Sequence, residues 1–192
     1  MANYGKASIL DSDQHQAFLQ FLENQRHTRR NQAIYLLSYR AGLRVQSIAG
    51  LLLNDVLDSS GNLKEVVELR PDIVKKRKNY AIYLTHPELR NALLAYLSER
   101  PNMAKVDNVF VSQRGNAFTP NSLTHTLLTL YRKAGLDGAS SHSGRRSYAT
   151  NLIRSGLDIV AVQRLMNHAT TTQTAEYVET NDEFLKNAVM SV

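Results

Sequence analysis

The chain has 192 residues, 43% hydrophobic and 21% charged, which suits one globular domain, residues 1–192, with its own core. It has no cysteine, which excludes disulfides and thiolate zinc sites, and no apolar run reaches the ~20 residues of a membrane span. The formal net charge of +6 favours a polyanionic partner.

The first quarter of the chain is expected to form three helices. Asp11 or Ser12 can cap the first, because either side chain can accept a hydrogen bond from the backbone of the first turn. Gly42 is placed to end the second as a left-handed residue, which leaves Arg44 at the junction with the third. The three helices are expected over about residues 12–24, 28–41 and 45–51.

The middle of the chain is predicted to form a small antiparallel sheet. Three short segments are rich in β-branched and aromatic residues, namely 66–69, 72–74 and 80–84. Four basic residues would lie at a hairpin between the last two segments: Lys75, Lys76, Arg77 and Lys78. A hairpin tip can carry a lysine far from the body of the domain.

The second half returns to helical patterns. Proline fits the first turn of a helix, so Pro87 and Pro120 mark two starts, and Gly135 and Gly156 mark two stops. Asp158 can cap a further helix. Six helices are expected over about residues 87–99, 120–134, 142–155, 159–167, 172–178 and 182–189, with a short extended piece at 108–112. We therefore expect a mainly α fold with a small antiparallel β-sheet.

Basic side chains are grouped at three places: residues 26–30, residues 75–78, and Arg145 with Arg146. A single basic run is more often a solvated face than a binding site. Three runs on one small domain favour a shared surface that binds phosphate groups.

The segment His142-Ser143-Gly144-Arg145 could bind an anion. Residues three apart share a helix face, so His142 and Arg145 would project together at a helix N-terminus, where the dipole favours negative charge. An imidazole and a guanidinium can bind two oxygens of one phosphate. A lone His-x-x-Arg is more often two polar residues on a solvent-exposed helix face. Further motifs in the chain are needed to favour an anion site.

The rest of the chain supplies a fixed order of further groups. That order is Gly42-Leu43-Arg44, a lysine in the basic run, His142-Ser143-Gly144-Arg145, His168 and Tyr177. It resembles the tyrosine recombinases, the phage-integrase family, over about residues 28–180. In that family the lysine lies on a β-hairpin several residues before the end of the next strand. Counting back from residues 81–84 favours Lys75, with Lys76 second.

The resemblance implies DNA strand cleavage and rejoining through a 3′-phosphotyrosyl link. Tyr177 would be the nucleophile, with His142 as the proton acceptor, because a free tyrosine hydroxyl is mostly protonated at neutral pH. Arg44 and Arg145 would neutralise the two non-bridging oxygens, and His168 would add a further contact.

Lys75 would protonate the leaving 5′ oxygen. Four further residues are expected to contact DNA: Lys76, Arg77, Lys78 and Arg146. The chemistry implies no metal and no organic cofactor.

Three positions depart from the family pattern. Ser47 stands where the family often has an acidic residue that would orient Arg44, so that support must come from elsewhere. Asn167 precedes His168 where the family usually has glycine, and Arg146 follows the His-x-x-Arg where a second histidine is common. None of these changes removes a catalytic group.

The resemblance also implies an organisation and partners. The chain is similar to short, single-domain members such as Fim-type invertases or compact mobile-element integrases, with no N-terminal core-binding domain. We expect double-stranded DNA as partner, and a homotetramer, or a mixed assembly with a host recombinase, joined through the C-terminal helix over residues 182–190. A cytoplasmic, nucleoid-associated location follows, with no membrane partner.

Two alternatives share parts of this pattern. One is a type IB topoisomerase-like enzyme that relaxes DNA by the same chemistry, and the other is a catalytically dormant DNA-binding regulator. A plain basic helical domain for an unrelated acidic partner would leave the motif order unexplained.

Overall fold

A computed structural model describes residues 7–74, 80–100, 106–177 and 189–190. The chain divides into two compact units, Met1–Tyr148 and Ala149–Val192. None of the described helices is both long and apolar enough to cross a membrane.

Helices make up most of the described residues of both units, as predicted. The first unit contains α1 (Ser12–Glu23), α2 (Thr28–Ala41), α3 (Val45–Gly50), α4 (Leu53–Val56), α5 (Pro87–Glu99), α6 (Pro120–Lys133) and the start of α7 (Ser143–Arg154). The second unit contains the end of α7, followed by α8 (Ile159–Leu165) and α9 (Thr171–Ala175). The helix predicted over 182–189 lies outside the described residues except for Val189.

The ends of the first helices follow the local signals in the sequence. Asp11 Oδ1 accepts a hydrogen bond from the Gln14 backbone N–H at 2.8 Å, and Gln14 Oε1 accepts one from the Asp11 N–H at 3.2 Å. This reciprocal pair fixes the start of α1. Gly42 ends α2 with φ 64°, a left-handed conformation that costs glycine little.

The sheet has two strands in the described residues. β1 (Val66–Leu69) and β2 (Tyr80–Tyr83) run antiparallel, with Val66 opposite Tyr83 and Leu69 opposite Tyr80. The strand predicted over residues 72–74 is wrong, and so is the hairpin between it and the next strand. The basic run instead follows a 3-10 turn and precedes β2.

That 3-10 turn covers Pro71–Ile73 and has clear causes. The proline ring sets a turn-compatible φ at its first position, and Arg70 Nη1 donates to Asp72 Oδ2 at 2.7 Å across the turn. Ile73 is nevertheless buried, because it packs against Gly50 at the end of α3. The apolar residues that suggested a strand are therefore buried without joining the sheet.

The core of the first unit is built around α2, which packs against α1, α3 and α5. Nine of its 14 residues are buried, so this helix has little solvent-exposed face. The Phe18 ring lies 4.8 Å from that of Tyr35 and 4.6 Å from that of Tyr131, between ring centroids. The C-terminal end of α2, where Arg44 follows, is thus fixed to the core.

The second unit is held by local contacts. Asp158 caps α8 by accepting hydrogen bonds from the Val160 N–H at 2.8 Å and the Ala161 N–H at 3.3 Å, as the sequence predicted. α8 and α9 pack against each other. The prediction of one domain over residues 1–192 stays a prediction.

Candidate active site

Arg44 lies at the junction of two buried helices. Gly42 ends α2 and Leu43 is fully buried, so the chain enters α3 from a fixed point. Arg44 then serves as the N-terminal cap residue of α3, with extended backbone at φ −78° and ψ 150°, and its carbonyl accepts from the Ile48 N–H at 3.0 Å. The backbone that carries this guanidinium is therefore well anchored, and the side chain is half-exposed.

Arg145 reaches the same junction from the first turn of α7. It is only 4% exposed, and its Nη1 donates to the carbonyl oxygen of Gly42. A Cβ atom at Gly144 would lie 2.9 Å from Ser38 Oγ and 3.2 Å from the Tyr39 backbone nitrogen. Glycine at 144 thus permits the close approach of α7 to α2 that brings Arg145 to Gly42.

Tyr80, the first residue of β2, marks the point where the two arginines converge. Its hydroxyl is hydrogen-bonded to the Arg145 side chain, and it lies close enough to Arg44 to feel that charge as well. Burial raises the pKa of Tyr80, and the positive charges of Arg145 and Arg44 oppose that rise. The structure therefore brings Arg44 and Arg145 together around one phenol, a residue that the sequence analysis did not single out.

Tyr148 completes the packing on this junction. A Cβ atom at Gly42 would lie 2.4 Å from Tyr148 Cδ1, so the ring lies directly on the glycine. Burial, reinforced by neighbouring Tyr80, raises the pKa of Tyr148 to about 12.

Ser47 has a different task from the acidic residue that the family often places there. Its hydroxyl donates to the carbonyl oxygen of Ile73 at 2.8 Å and ties α3 to the segment that leads into the basic run. Arg70 Nη2 adds a second tie by donating to the Gly50 carbonyl at 2.6 Å. The segment that ends at Val74 is therefore tied to α3, and the charge of Arg44 acts on Tyr80.

His142 and Arg146 lie at the start of α7. The His142 carbonyl accepts from the Arg146 backbone N–H at 2.9 Å, and the His142 N–H donates to Ser140 Oγ at 3.2 Å. The His142 side chain is exposed and that of Arg146 is half-buried, whereas Arg145 is buried. The predicted catalytic and DNA-binding roles of these two residues stay predictions.

The four residues of the central basic run lie outside the described residues: Lys75, Lys76, Arg77 and Lys78. The run at residues 26–30 lies at the start of α2, about 20 Å from Gly42 by the rise of a 14-residue helix. There Arg30 Nη1 donates to the Val111 carbonyl at 3.1 Å, and its guanidinium lies 5.1 Å from the centroid of the Phe118 ring. That run is therefore separated from the arginine pair, and Arg30 stabilises the fold.

His168 is positioned by the turn that ends α8. The His168 N–H donates to the Gln163 carbonyl and the Asn167 N–H to the Arg164 carbonyl, both at 3.0 Å, which is the Schellman arrangement. Asn167 has φ 44°, in the left-handed region, where asparagine is tolerated better than most residues. The departure from the family glycine thus preserves the turn.

Thr174 connects His168 to Tyr177 within the second unit. Its hydroxyl lies 2.9 Å from His168 Nδ1, and its carbonyl accepts from the Tyr177 N–H at 3.0 Å. The rings of His168 and Tyr177 are stacked, with centroids 5.9 Å apart and planes 21° apart. Thr174 is fully buried and is a second site residue that the sequence analysis missed.

The two units thus offer complementary chemistry. The first holds two guanidinium groups, which suit the oxygens of a phosphate, and the second holds a phenol stacked on an imidazole. Within the described ranges, no three His, Cys, Asp or Glu side chains are grouped as ligands of a metal ion.

Comparisons with known proteins agree with the resemblance and with the fold. The chain is 32% identical over 165 residues to the tyrosine recombinase XerC of Myxococcus xanthus, an alignment that covers 82% of this chain and 52% of that protein. The chain spans about half the length of the curated relatives it matches.

Two solved structures share the fold. The XerA recombinase has a TM-score of 0.78 and 25% identity, with 98% of this chain and 66% of that chain covered. The Tn1549 transposon integrase, solved in complex with transposon right end DNA, has a TM-score of 0.76 and 18% identity, with 100% and 68% covered. A family model described as the phage integrase family matches residues 8–183, which include Arg44, Arg145, His168 and Tyr177, and the chain therefore belongs to that family.

Proposed function

We propose that this chain is the catalytic part of a site-specific DNA recombinase that cleaves and rejoins DNA strands. The observation that carries the proposal is the convergence of Arg44 and Arg145 around Tyr80, because two fixed guanidiniums suit the charge of a phosphodiester under attack. Family membership supports it, as does the likeness to a recombinase and a transposon integrase.

In the proposed reaction Tyr177 Oη attacks the scissile phosphorus while its proton passes to His142. A bond from phosphorus to Tyr177 forms and the bond to the 5′ oxygen breaks, which leaves a 3′-phosphotyrosyl link. Lys75 donates the proton that the leaving 5′ oxygen needs. Attack by the 5′ hydroxyl of another strand reverses these steps, and one ester replaces another.

In the same reaction Arg44 and Arg145 neutralise the two non-bridging oxygens. His168 adds a hydrogen bond to the developing charge, and its stacking on Tyr177 supports a shared task for the two.

The proposed partner is double-stranded DNA. The net charge of +6 supports it, and the Tn1549 integrase of the same fold was solved with DNA. Lys76, Arg77, Lys78 and Arg146 are proposed to contact the backbone.

The proposed assembly is a homotetramer, or a mixed assembly with a host recombinase, joined through residues 182–190. Val189 and Met190, which are 78% and 86% exposed, support an apolar contact at that end. A cytoplasmic, nucleoid-associated location is part of the same proposal.

A covalent-adduct assay tests the proposed function. Nicked duplexes from the DNA that flanks the protein's own gene, labelled on the scissile strand, are incubated with the protein in EDTA and then denatured in SDS. Wild type should form an adduct and Tyr177→Phe should form none, while both bind the DNA. Tyr83→Phe removes a hydroxyl from an exposed residue of β2 and should react as wild type does.

Other outcomes have definite meanings. An adduct that persists in Tyr177→Phe would show that another residue is the nucleophile. DNA binding with no adduct, even with candidate partner recombinases added, would indicate a dormant regulator. Relaxation of supercoiled DNA without pairing of two sites would indicate a topoisomerase-like enzyme.

A further inference from the structure

Tyr80 joins the small sheet to the arginine pair. It pairs in register with buried Leu69 of β1 and packs against the hydrophobic core, so its ring has a fixed position. Its hydroxyl is hydrogen-bonded to the Arg145 side chain and lies within range of the Arg44 charge.

Arg145 is consequently held from two directions. The Gly42 carbonyl at the end of α2 accepts from Nη1, and the Tyr80 hydroxyl at the start of β2 provides the second contact. A guanidinium is planar with donors in a fixed fork, so two contacts from different elements set the orientation of its plane.

We propose that Tyr80 is a positioning residue for strand cleavage, whose hydroxyl orients the Arg145 guanidinium beside Arg44 so that both meet the non-bridging oxygens of the scissile phosphate. The inference rests on the proposed function, and Tyr80 acts through Arg145 rather than on the reacting atoms. A phenol suits this task better than a carboxylate, because a neutral group holds the guanidinium without cancelling its charge. Burial raises the pKa of Tyr80, which keeps the hydroxyl neutral.

The first test is Tyr80→Phe, which keeps the ring and removes the hydroxyl. On the nicked duplex, adduct formation at saturating DNA should slow by about tenfold, the size of effect expected from one hydrogen bond to a charged group. The dissociation constant for DNA should change by less than about twofold, since the arginines remain. Tyr83→Phe, on the same strand with a 47% exposed side chain, is the matched control and should keep the wild-type rate.

A second substrate separates positioning from a general loss of structure. A scissile methylphosphonate carries an uncharged methyl in place of one non-bridging oxygen. Its reaction therefore builds up less negative charge for the arginine pair to neutralise. On this substrate the loss in Tyr80→Phe should shrink to under about threefold. An equal loss on both substrates would show that Tyr80 acts only on structure and would overturn the inference.

A measurement without DNA keeps this inference distinguishable from the proposed function. The guanidinium protons of Arg145 should exchange with solvent at least about tenfold faster in Tyr80→Phe than in wild type, observed by 15N NMR, because the contact with the Tyr80 hydroxyl is gone. Equal exchange in both proteins would overturn the inference whatever the cleavage rates. If wild type forms no adduct on any duplex, the proposed function fails, and the exchange measurement still decides whether Tyr80 holds Arg145.

Discussion

The arginine pair and the histidine–tyrosine pair are built in opposite ways. Arg145 is held by Gly42 and Tyr80, which come from other elements far away in the sequence. His168 and Tyr177 are instead connected to each other by contacts within residues 163–177. The arginine pair is thus joined by residues far apart in the sequence, whereas the histidine–tyrosine pair shares one turn and one short helix.

In the proposed reaction the two pairs have different tasks. Electrostatic stabilisation requires donors fixed before the reaction begins, and a buried junction in a folded core supplies such donors. The proposed nucleophile, Tyr177, has the ring of His168 stacked on it. A backbone change at the arginine junction should therefore cost more stability than the same change in the second unit.

The largest expected effect compares two left-handed glycines, Gly42 with φ 64° and Gly156 with φ 84°. Gly42→Ala should lower the free energy of unfolding by about 2–4 kcal/mol, because a strained φ is joined by a collision with Tyr148. Gly156→Ala should cost only about 1 kcal/mol, since its Cβ would meet no described atom within 4 Å. Urea unfolding followed by circular dichroism measures both, and equal losses would contradict the comparison.

A smaller effect is expected from Thr174→Val in the second unit. The substitution keeps the shape and removes the hydroxyl that lies 2.9 Å from His168 Nδ1. Adduct formation should slow by about fivefold, as expected when a histidine loses the contact that orients its ring. Thr172→Val, at an exposed position of the same helix, is the control. A wild-type rate in Thr174→Val would show that His168 needs no local support.

Local signals in the sequence predicted much of the fold. The cap at Asp11, the left-handed end at Gly42 and the cap at Asp158 were all visible, because each depends on residues a few positions apart. The strand predicted over residues 72–74 was wrong. Ile73 and Val74 are β-branched and buried, as strand residues often are, but Ile73 is buried by packing on α3. A short apolar run does not show which of these two kinds of burial will occur.

The candidate site also contains residues that the sequence predicted and residues that it did not. Motif order was enough to propose Arg44, Arg145, His168 and Tyr177, but their supporting residues were missed. Tyr80 meets Arg145 through tertiary packing, which leaves no spacing signal. Thr174 is close in sequence to Tyr177, on the helix just before it, so its position gave some signal. A buried threonine hydroxyl is common, however, and indicates no particular partner.

The smallest expected effect concerns a buried histidine in the first unit. His15 is 2% exposed, stacks on the Tyr39 ring with centroids 4.0 Å apart, and places Nδ1 2.8 Å from the Tyr35 hydroxyl. Its Nε2 lies 3.3 Å from the Glu88 carboxylate and 3.2 Å from Arg40 Nη2. Burial lowers the pKa of His15, the charge of Glu88 opposes this, and the charge of Arg40 adds to it.

A lowered pKa means that the unfolded chain binds the proton first as the pH falls below the ordinary histidine value of 6.5. The free energy of unfolding should therefore fall by about 1 kcal/mol from pH 7.5 to 5.5, measured in urea, and less in His15→Gln. His125→Gln, at an exposed position of α6, should keep the wild-type difference. Burial raises the pKa of Glu88, but the contacts with Arg40 and His15 together lower it below the ordinary value of 4.5, so its stabilisation is lost only below about that pH. If the free energy of unfolding of His15→Gln falls as much as that of wild type between pH 7.5 and 5.5, another group causes the fall. Protonation of the buried His15 would then not affect stability in this range.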